Sequence, residues 1–250
     1  MNPKIIVLRT AGTNCDYETV NVFKYLGAEV DLVHVNSLQR KEISLSDYHC
    51  LVLPGGFADG DYISSAKILA NKLKYNLREE IENFISEKKL ILGICNGFQA
   101  LVKAGFLPAI NNFFEQQVTL LWNQSGHFQD EWITMKKTGG KHCVWTKEIE
   151  SVYCPINHGE GRLEIPENTL KELYEKDLVV FKYEKNPNGS MDSIAGICDE
   201  TGRIFGLMPH PEKNAFSLTD PRSTREQFGF EGEGISIFRN GVTYIRENLF

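Results

Sequence analysis

The chain has 250 residues, of which 42% are hydrophobic and 24% are charged, and its formal net charge is −6. This composition excludes a largely disordered or collagen-like chain and is typical of a folded globular protein. The acidic balance argues against a nucleic-acid partner, and no apolar run approaches the roughly 20 residues that cross a bilayer.

The first half of the chain alternates strand and helix patterns. Short apolar runs predict strands at 5–8, 30–35, 50–53 and 90–94. Helices are predicted at 16–26, along 69–84, where apolar residues recur every three or four positions, and at 96–103. Strands that alternate with helices in this way predict a parallel, doubly wound α/β sheet.

The second half shows a different pattern. Strands are predicted at 113–122, 131–135 and 151–156, and an antiparallel meander over 178–183, 193–198 and 204–207, with a closing helix at 242–250. We therefore expect a single domain over 1–250, with a flavodoxin-like, doubly wound, mostly parallel sheet and an antiparallel extension. The six cysteines include no Cys-x-x-Cys pair, and the N-terminal segment lacks the pattern of a secretory signal. We expect reduced thiols and a cytoplasmic location, without membrane association.

The pentapeptide Gly93-Ile-Cys-Asn-Gly97 stands where a predicted strand ends and a predicted helix begins. A nucleophile between small residues at such a junction is typical of a nucleophile elbow. The N-terminus of the helix favours the thiolate of Cys95, and the backbone N–H of Asn96 is suited to bind an oxyanion. The alternative interpretation is a buried structural cysteine.

A nucleophilic thiol needs a base, and the base needs a group that orients it. His210 lies between Pro209 and Pro211, which restrict its backbone, and Glu212 follows two residues later on the same side of an extended chain. A solvated histidine in a proline-rich turn is the alternative. Together with Cys95, these residues supply each role of a catalytic triad.

Two glycine-containing loops are further candidates. The turn Pro54-Gly55-Gly56 ends the third predicted strand, at the edge of the sheet where ligands bind, so Gly56 could provide a second oxyanion N–H. The segment Asn157-His-Gly-Glu-Gly-Arg162 suggests a loop whose backbone approaches a ligand. The alternative for the first loop is a plain Pro-Gly turn, and a polar turn between strands explains the second loop about equally well. No cysteine and histidine spacing predicts a metal site.

Taken together, four motifs resemble the class I (triad) glutamine amidotransferases, and within that class the glutaminase subunits of phosphoribosylformylglycinamidine synthases. They are Thr13-Asn-Cys-Asp16, Cys95-Asn-Gly-Phe-Gln99, His158-Gly-Glu-Gly-Arg162 and Met208-Pro-His-Pro-Glu212, accompanied by Pro54-Gly-Gly-Phe57. The resemblance implies the class I glutamine amidotransferase fold and the hydrolysis of glutamine to glutamate and ammonia.

The same resemblance assigns roles to residues. Cys95 forms a glutamyl thioester, His210 moves the proton, and Glu212 orients His210. The backbone N–H groups of Gly56 and Asn96 form the oxyanion hole. The resemblance alone implies glutamine binding by Gln99, Asn157, Gly159 and Glu160.

The resemblance also implies partners. L-glutamine is the substrate, and ammonia passes to an ATP- and Mg²⁺-using synthetase subunit, with a small accessory subunit in the complex. The chain itself is expected to hold no cofactor.

Some features depart from the family pattern. Lys213 stands where arginine is usual. Segments 119–150 and 217–234 match the family poorly and are candidate docking surfaces. The alternatives are an amidotransferase of another pathway, a cysteine-dependent peptidase, stress protein or chaperone of the same fold, and a non-catalytic glutamine-binding subunit.

Overall fold

The computed structural model describes residues 2–225 and 229–250. The strands are β1 (Lys4–Arg9), β2 (Glu29–His34), β3 (Cys50–Leu53), β4 (Leu90–Ile94), β5 (Thr119–Leu121), β6 (Gln129–Lys137), β7 (Ser151–His158), β8 (Arg162–Glu164), β9 (Val179–Tyr183), β10 (Ile194–Cys198) and β11 (Ile204–Leu207). The α-helices are α1 (Asp16–Tyr25), α2 (Val35–Gln39), α3 (Lys67–Asn71), α4 (Arg78–Ser86), α5 (Asn96–Ala104), α6 (Glu167–Glu175) and α7 (Ile235–Asn248).

Nine strands form one mixed sheet in the order β2-β1-β3-β4-β11-β10-β9-β6-β7. Neighbours from β2 to β11 are parallel, and neighbours from β11 to β7 are antiparallel. Strands β5 and β8 pair separately as an antiparallel ribbon. The order of the parallel part is that of a flavodoxin-like sheet. The predicted α/β class and the antiparallel extension are confirmed.

The centre of the sheet is buried on both faces. Every residue of β3 and β4 is buried, as expected for parallel strands that helices cover from two sides. Helix α1 packs against α7 through Phe23 and Phe238, whose ring centroids lie 5.2 Å apart. Among the described residues, no helix has both the length and the apolar character that crossing a membrane demands.

The amphipathic stretch predicted over 69–84 is divided. Helix α3 is followed by one π-helical segment, Lys72–Asn76, and α4 begins only after Leu77, whose φ and ψ are −116° and 18°. Leu73 and Leu77 are nevertheless almost completely buried. The π turn accommodates an extra residue while the apolar face stays against the core, which is why the apolar spacing did not reveal the break.

Other element boundaries also differ from the predictions. The strand predicted over 113–122 is confined to β5, because Phe114 lies in a turn, where it packs against Phe106 at 5.0 Å between ring centroids. The closing helix begins at Ile235 rather than 242. Helix α6 was not predicted, since Leu173 is the one residue that it buries fully.

Trp145 anchors the C-terminal helix. It is fully buried, its indole N–H donates to the carbonyl of Arg203 at 3.0 Å, and its ring fills the space where a side chain at Gly241 of α7 would lie. We expect Trp145→Ala to lower the free energy of unfolding by about 3–5 kcal/mol, because it leaves a cavity in the core and removes the indole hydrogen bond to Arg203. Urea unfolding followed by circular dichroism measures the change.

The matched control is Trp122→Ala. The Trp122 side chain is 63% exposed, so its removal should change the free energy of unfolding by no more than about 0.5 kcal/mol. Equal losses in the two variants would contradict the proposed anchoring role of Trp145.

Candidate active site

Strands β3, β4 and β11 lie side by side and parallel, so the segments that follow them meet at one edge of the sheet. Gly56 follows β3, Cys95 follows β4 and His210 follows β11. The expectation that the Pro54-Gly55-Gly56 turn and the cysteine turn share an edge is confirmed, and His210 joins them there.

Cys95 has the backbone geometry of a nucleophile elbow. Its φ and ψ are +50° and −105°, a strained conformation for a residue with a side chain. Helix α5 begins at the next residue and comes very close to the sheet. A Cβ at Gly97 would lie 1.8 Å from the carbonyl oxygen of Leu53, and a Cβ at Gly93 would lie 2.5 Å from Leu101. The two glycines therefore allow the sharp turn that places Cys95 at the edge of the sheet.

Cys95 as a residue is only 4% exposed, and its thiol donates to the carbonyl of Asn157 at 3.7 Å. Burial raises the pKa of this thiol, and a hydrogen bond from the backbone N–H of Asn96 opposes the rise. Burial dominates, so the resting thiol is protonated at neutral pH. A base is required before the sulfur can act as a nucleophile.

His210 and Glu212 form a buried pair. The Nδ1 atom of His210 lies 2.6 Å from Oε1 of Glu212, and both side chains are almost completely buried. The carboxylate therefore holds the proton on Nδ1 and leaves Nε2 as the basic nitrogen. In residues 2–225 and 229–250, no group hydrogen-bonds Nε2. The arrangement is that of a base with its orienting carboxylate, and Nε2 is left to accept a proton.

Cys15 is a residue of this site that the sequence reasoning did not single out. Its Sγ, a ring nitrogen of His210 and a carboxylate oxygen of Glu212 all lie within 4.8 Å of one another. Burial raises the pKa of the Cys15 thiol to about 12. These donor types suit Zn²⁺, but two of the three belong to the His210–Glu212 pair, so a metal ion here would occupy the base. The motif Thr13-Asn-Cys-Asp16 was the signal that could have identified Cys15.

The Gly55-Gly56 turn lies against the loop between β1 and α1. The carbonyl of Gly55 accepts the backbone N–H groups of Asn14 and Cys15 at 3.3 and 3.2 Å. Gly56 has φ +145°, and a Cβ there would lie 2.7 Å from the nitrogen of Asn14. The close approach excludes any larger residue, and it places Gly56 in the wall of the cavity described next.

A cavity of about 250 Å³ opens onto His210. It is lined by Asn14, Cys15, Gly56, Phe57, Phe128, Asp130, Asn157, His210 and Lys213. The carboxamide of Asn157 accepts from Nζ of Lys213 at 2.7 Å and donates to Asp130. The cavity therefore offers one ammonium and one carboxylate beside the base.

The four residues expected to bind glutamine occupy different positions. Asn157 lines the cavity. The carboxamide of Gln99 instead donates to the backbone carbonyl of Glu160 at 2.7 Å and accepts from Asn96 at 2.9 Å. The carbonyl of Gly159 accepts from the backbone N–H of Asn123 at 2.8 Å. Glutamine binding by these residues stays a prediction.

His158 explains the spacing of the neighbouring glycines. Burial lowers its pKa to about 4, and its Nδ1 lies 3.0 Å from the side-chain oxygen of Asn123. A Cβ at Gly161 would lie 2.2 Å from the His158 ring. His158 is therefore a neutral packing residue at neutral pH, and Gly161 makes room for it.

Residues 2–245 match the family described as the CobB/CobQ-like glutamine amidotransferase domain. The chain belongs to this glutamine amidotransferase family. Two relatives are the phosphoribosylformylglycinamidine synthase subunits PurQ of Methanococcus maripaludis and Dehalococcoides mccartyi. They are 38% and 40% identical, and each alignment covers 98% of this chain and 98% of the relative.

The solved structure of PurLQS from Thermotoga maritima contains a chain that is 31% identical to this amidotransferase. The match has a TM-score of 0.78 and covers 98% of this chain and 100% of that chain. The resemblance drawn from the four motifs, to glutaminase subunits of phosphoribosylformylglycinamidine synthase, is confirmed. A second T. maritima glutamine amidotransferase, 16% identical at a TM-score of 0.60, shares the fold over 99% of this chain and 100% of its own.

Gly55 tests the placement of the base. A Cβ at this position would lie 2.6 Å from Cε1 of His210 and 3.2 Å from Sγ of Cys15. We expect Gly55→Ala to displace the imidazole by a fraction of an ångström to an ångström and to lower kcat for glutamine hydrolysis about 100-fold. The control is Gly229→Ala, assayed like Gly55→Ala on the chain without its partners, where a Cβ would meet no atom of the described residues within 4 Å. An unchanged kcat in Gly55→Ala would show that the ring position is not critical.

The protonation state of Cys95 can be measured directly. Because burial raises the pKa of Cys95, the thiolate fraction should increase about tenfold per pH unit below that pKa. Carbamidomethylation by iodoacetamide, followed by mass spectrometry of the Cys95 peptide, should accelerate in this proportion from pH 7 to 9. N-acetylcysteine is the reference thiol. A rate that is already constant at pH 7 would reveal a preformed thiolate.

Proposed function

We propose that the chain hydrolyses glutamine through Cys95, His210 and Glu212 and delivers the ammonia to the synthetase subunit of phosphoribosylformylglycinamidine synthase. One observation carries this proposal. A cysteine at a strained strand-to-helix turn shares a sheet edge with a buried histidine whose Nδ1 is held by a carboxylate. That combination supplies the nucleophile, the base and the orienting group of amide hydrolysis.

The first half of the reaction forms a thioester. Nε2 of His210 accepts the proton of the Cys95 thiol, and Glu212 stabilises the imidazolium that results. The sulfur attacks the carboxamide carbon of glutamine. The negative charge that develops on the carboxamide oxygen is stabilised by the backbone N–H groups of Gly56 and Asn96.

The second half releases both products. The imidazolium of His210 gives its proton to the leaving nitrogen, the carbon–nitrogen bond breaks, and ammonia departs. His210 then accepts a proton from a water molecule that attacks the thioester of Cys95. Collapse of this intermediate releases glutamate, and the sulfur recovers its proton from His210.

Recognition of glutamine is proposed to involve Gln99, Asn157, Gly159 and Glu160. Asp130 and Lys213 extend that set, because they give the cavity a carboxylate and an ammonium. These charges complement the α-ammonium and α-carboxylate of a free amino acid. A glutamine residue within a peptide chain lacks both groups. The complementarity supports free L-glutamine as the substrate.

The synthetase subunit and a small accessory subunit are the proposed partners, and ATP and Mg²⁺ are used by the synthetase rather than by this chain. The chain is proposed to work as one domain, 1–250, in the cytoplasm, without a nucleic-acid or membrane partner.

Segments 119–150 and 217–234 are proposed to contact the partners. Exposed Trp122 and Phe128 in the first, and Leu218 in the second, support this. Residues 226–228 of the second segment lie outside the described residues.

Glutamate release from glutamine tests the proposal. Wild type and Cys95→Ala are assayed alone and with the synthetase and accessory subunits from the same source. We expect Cys95→Ala to lose activity on the order of 10³-fold or more, because no other group in the mechanism can carry the acyl intermediate. The wild-type rate is expected to rise when the partners are added. Cys50→Ala, at a buried cysteine of β3, is the control.

The other outcomes separate the remaining hypotheses. Cys95-dependent glutamate release at a rate that these partners do not change would indicate an amidotransferase of another pathway. Hydrolysis of peptides rather than glutamine would indicate a peptidase of the same fold. No release under any condition, with no labelling of Cys95 by an electrophilic glutamine analogue, would leave a non-catalytic glutamine-binding subunit.

A further inference from the structure

Helix α5, which begins next to Cys95, carries a buried lysine. Lys103 is only 5% exposed, and it follows Asn96 and Gln99 at the three- and four-residue spacing that aligns side chains along a helix. Its Nζ donates to the backbone carbonyl of Ser65 at 2.6 Å and to the hydroxyl of Ser64 at 3.1 Å. A buried ammonium is costly unless it is fully paired, so its retention here needs an explanation.

The partner of this ammonium is Glu160. Nζ of Lys103 lies 3.5 Å from Oε2 of Glu160, and that oxygen also accepts the backbone N–H of Ser65 at 3.1 Å. The backbone carbonyl of Glu160 accepts from the carboxamide of Gln99 at 2.7 Å. The loop after β7, which includes the predicted glutamine-binding residues Gly159 and Glu160, is thus attached to α5 through both its backbone and a side chain.

The same face of α5 also holds the loop that follows Gly56. The carboxamide of Asn96 donates to Asp61 at 3.0 Å and accepts the backbone N–H of Ala58 at 2.9 Å. In this loop Asp59, Asp61, Ile63 and Ala66 all have positive φ. Such a backbone is strained and persists only where the surroundings hold it. The contacts at Asn96 and Lys103 hold its two ends.

Electrostatics make Lys103 the centre of this network. Burial lowers the pKa of Lys103, while Glu160 and Asp61 counter the decrease. Burial and the charge of Glu160 raise the pKa of Asp61. Removal of the ammonium would leave the partly buried carboxylates of Glu160 and Asp61 without a cation that offsets their charges. Their repulsion and desolvation would drive the two loops away from α5.

We propose that Lys103 is a positioning residue of the glutaminase. Its buried ammonium attaches the loop after Gly56 and the segment Asn157–Glu160, at the end of β7, to α5. The oxyanion hole and the glutamine-binding segment are thereby held together at the distances that catalysis requires. The catalytic part of this inference rests on the proposed function.

The test compares Lys103→Met with wild type, each in complex with the synthetase and accessory subunits. We expect kcat/KM for glutamine to fall about 10- to 100-fold, with kcat lowered as well as KM raised, because both loops are displaced. The control is Lys89→Met, which removes a partly buried lysine that donates to the Ser46 carbonyl at 2.7 Å and precedes β4, at the opposite end of that strand from Cys95.

Hydrogen exchange provides a readout that does not depend on activity. We expect faster exchange in Lys103→Met at residues 57–66 and 157–161, and unchanged exchange in β1 and β3. Unchanged exchange in both loops would overturn the proposal even if activity fell. A wild-type complex without Cys95-dependent glutamate release would instead overturn the proposed function, while exchange would still decide whether Lys103 holds the loops.

Lys103→Gln keeps one donor for the Ser65 carbonyl and is the second variant if Lys103→Met does not fold. It should show the same loop-specific exchange, because it too removes the charge that pairs with Glu160. Full activity with wild-type exchange in this variant would show that the ammonium is dispensable, and would overturn the proposal.

Discussion

The close contact between the first turn of α5 and the carboxyl ends of β3 and β4 is the constraint on which the site depends. Gly97 lies so near Leu53 that no side chain fits between them. The chain can enter the helix only through a sharp turn, and Cys95 takes the strained backbone angles of that turn. Packing of the surrounding core holds the strain, since every residue of β4 and α5 is buried.

The mixed topology of the sheet then brings the base to the nucleophile. After β4 the chain leaves the parallel part, builds the antiparallel strands, and returns as β11 beside β4. His210 therefore emerges next to Cys95 although much of the chain separates them. The base stands on a rigid strand end, and Gly55, Cys15 and Glu212 surround its ring. Its orientation is set by packing as much as by the hydrogen bond to Glu212.

Polar groups around the helix are organised in a similar way. Asn96, Gln99 and Lys103 project from one face of α5. Their side chains hydrogen-bond to neighbouring loops rather than to solvent. A buried network of this kind is favourable only when each member is satisfied, so it specifies one loop arrangement against others. The carboxamide of Gln99 is an example, because its hydrogen bond to the Glu160 carbonyl holds the backbone of that loop.

The sequence by itself determined the alternation of strands and helices, the cysteine turn and the pairing of His210 with Glu212. These depend on local spacing: apolar runs, small residues beside Cys95, and two residues separated by one proline. The tertiary structure alone decided that Cys15 lies against the base, that Gly161 makes room for His158, and that Lys103 meets Glu160. It also decided the break between α3 and α4, where the apolar face continues but the helix does not. The contacts of Cys15 with His210, of Lys103 with Glu160 and of Asn123 with the His158 ring join residues far apart in the chain, and no local pattern records them.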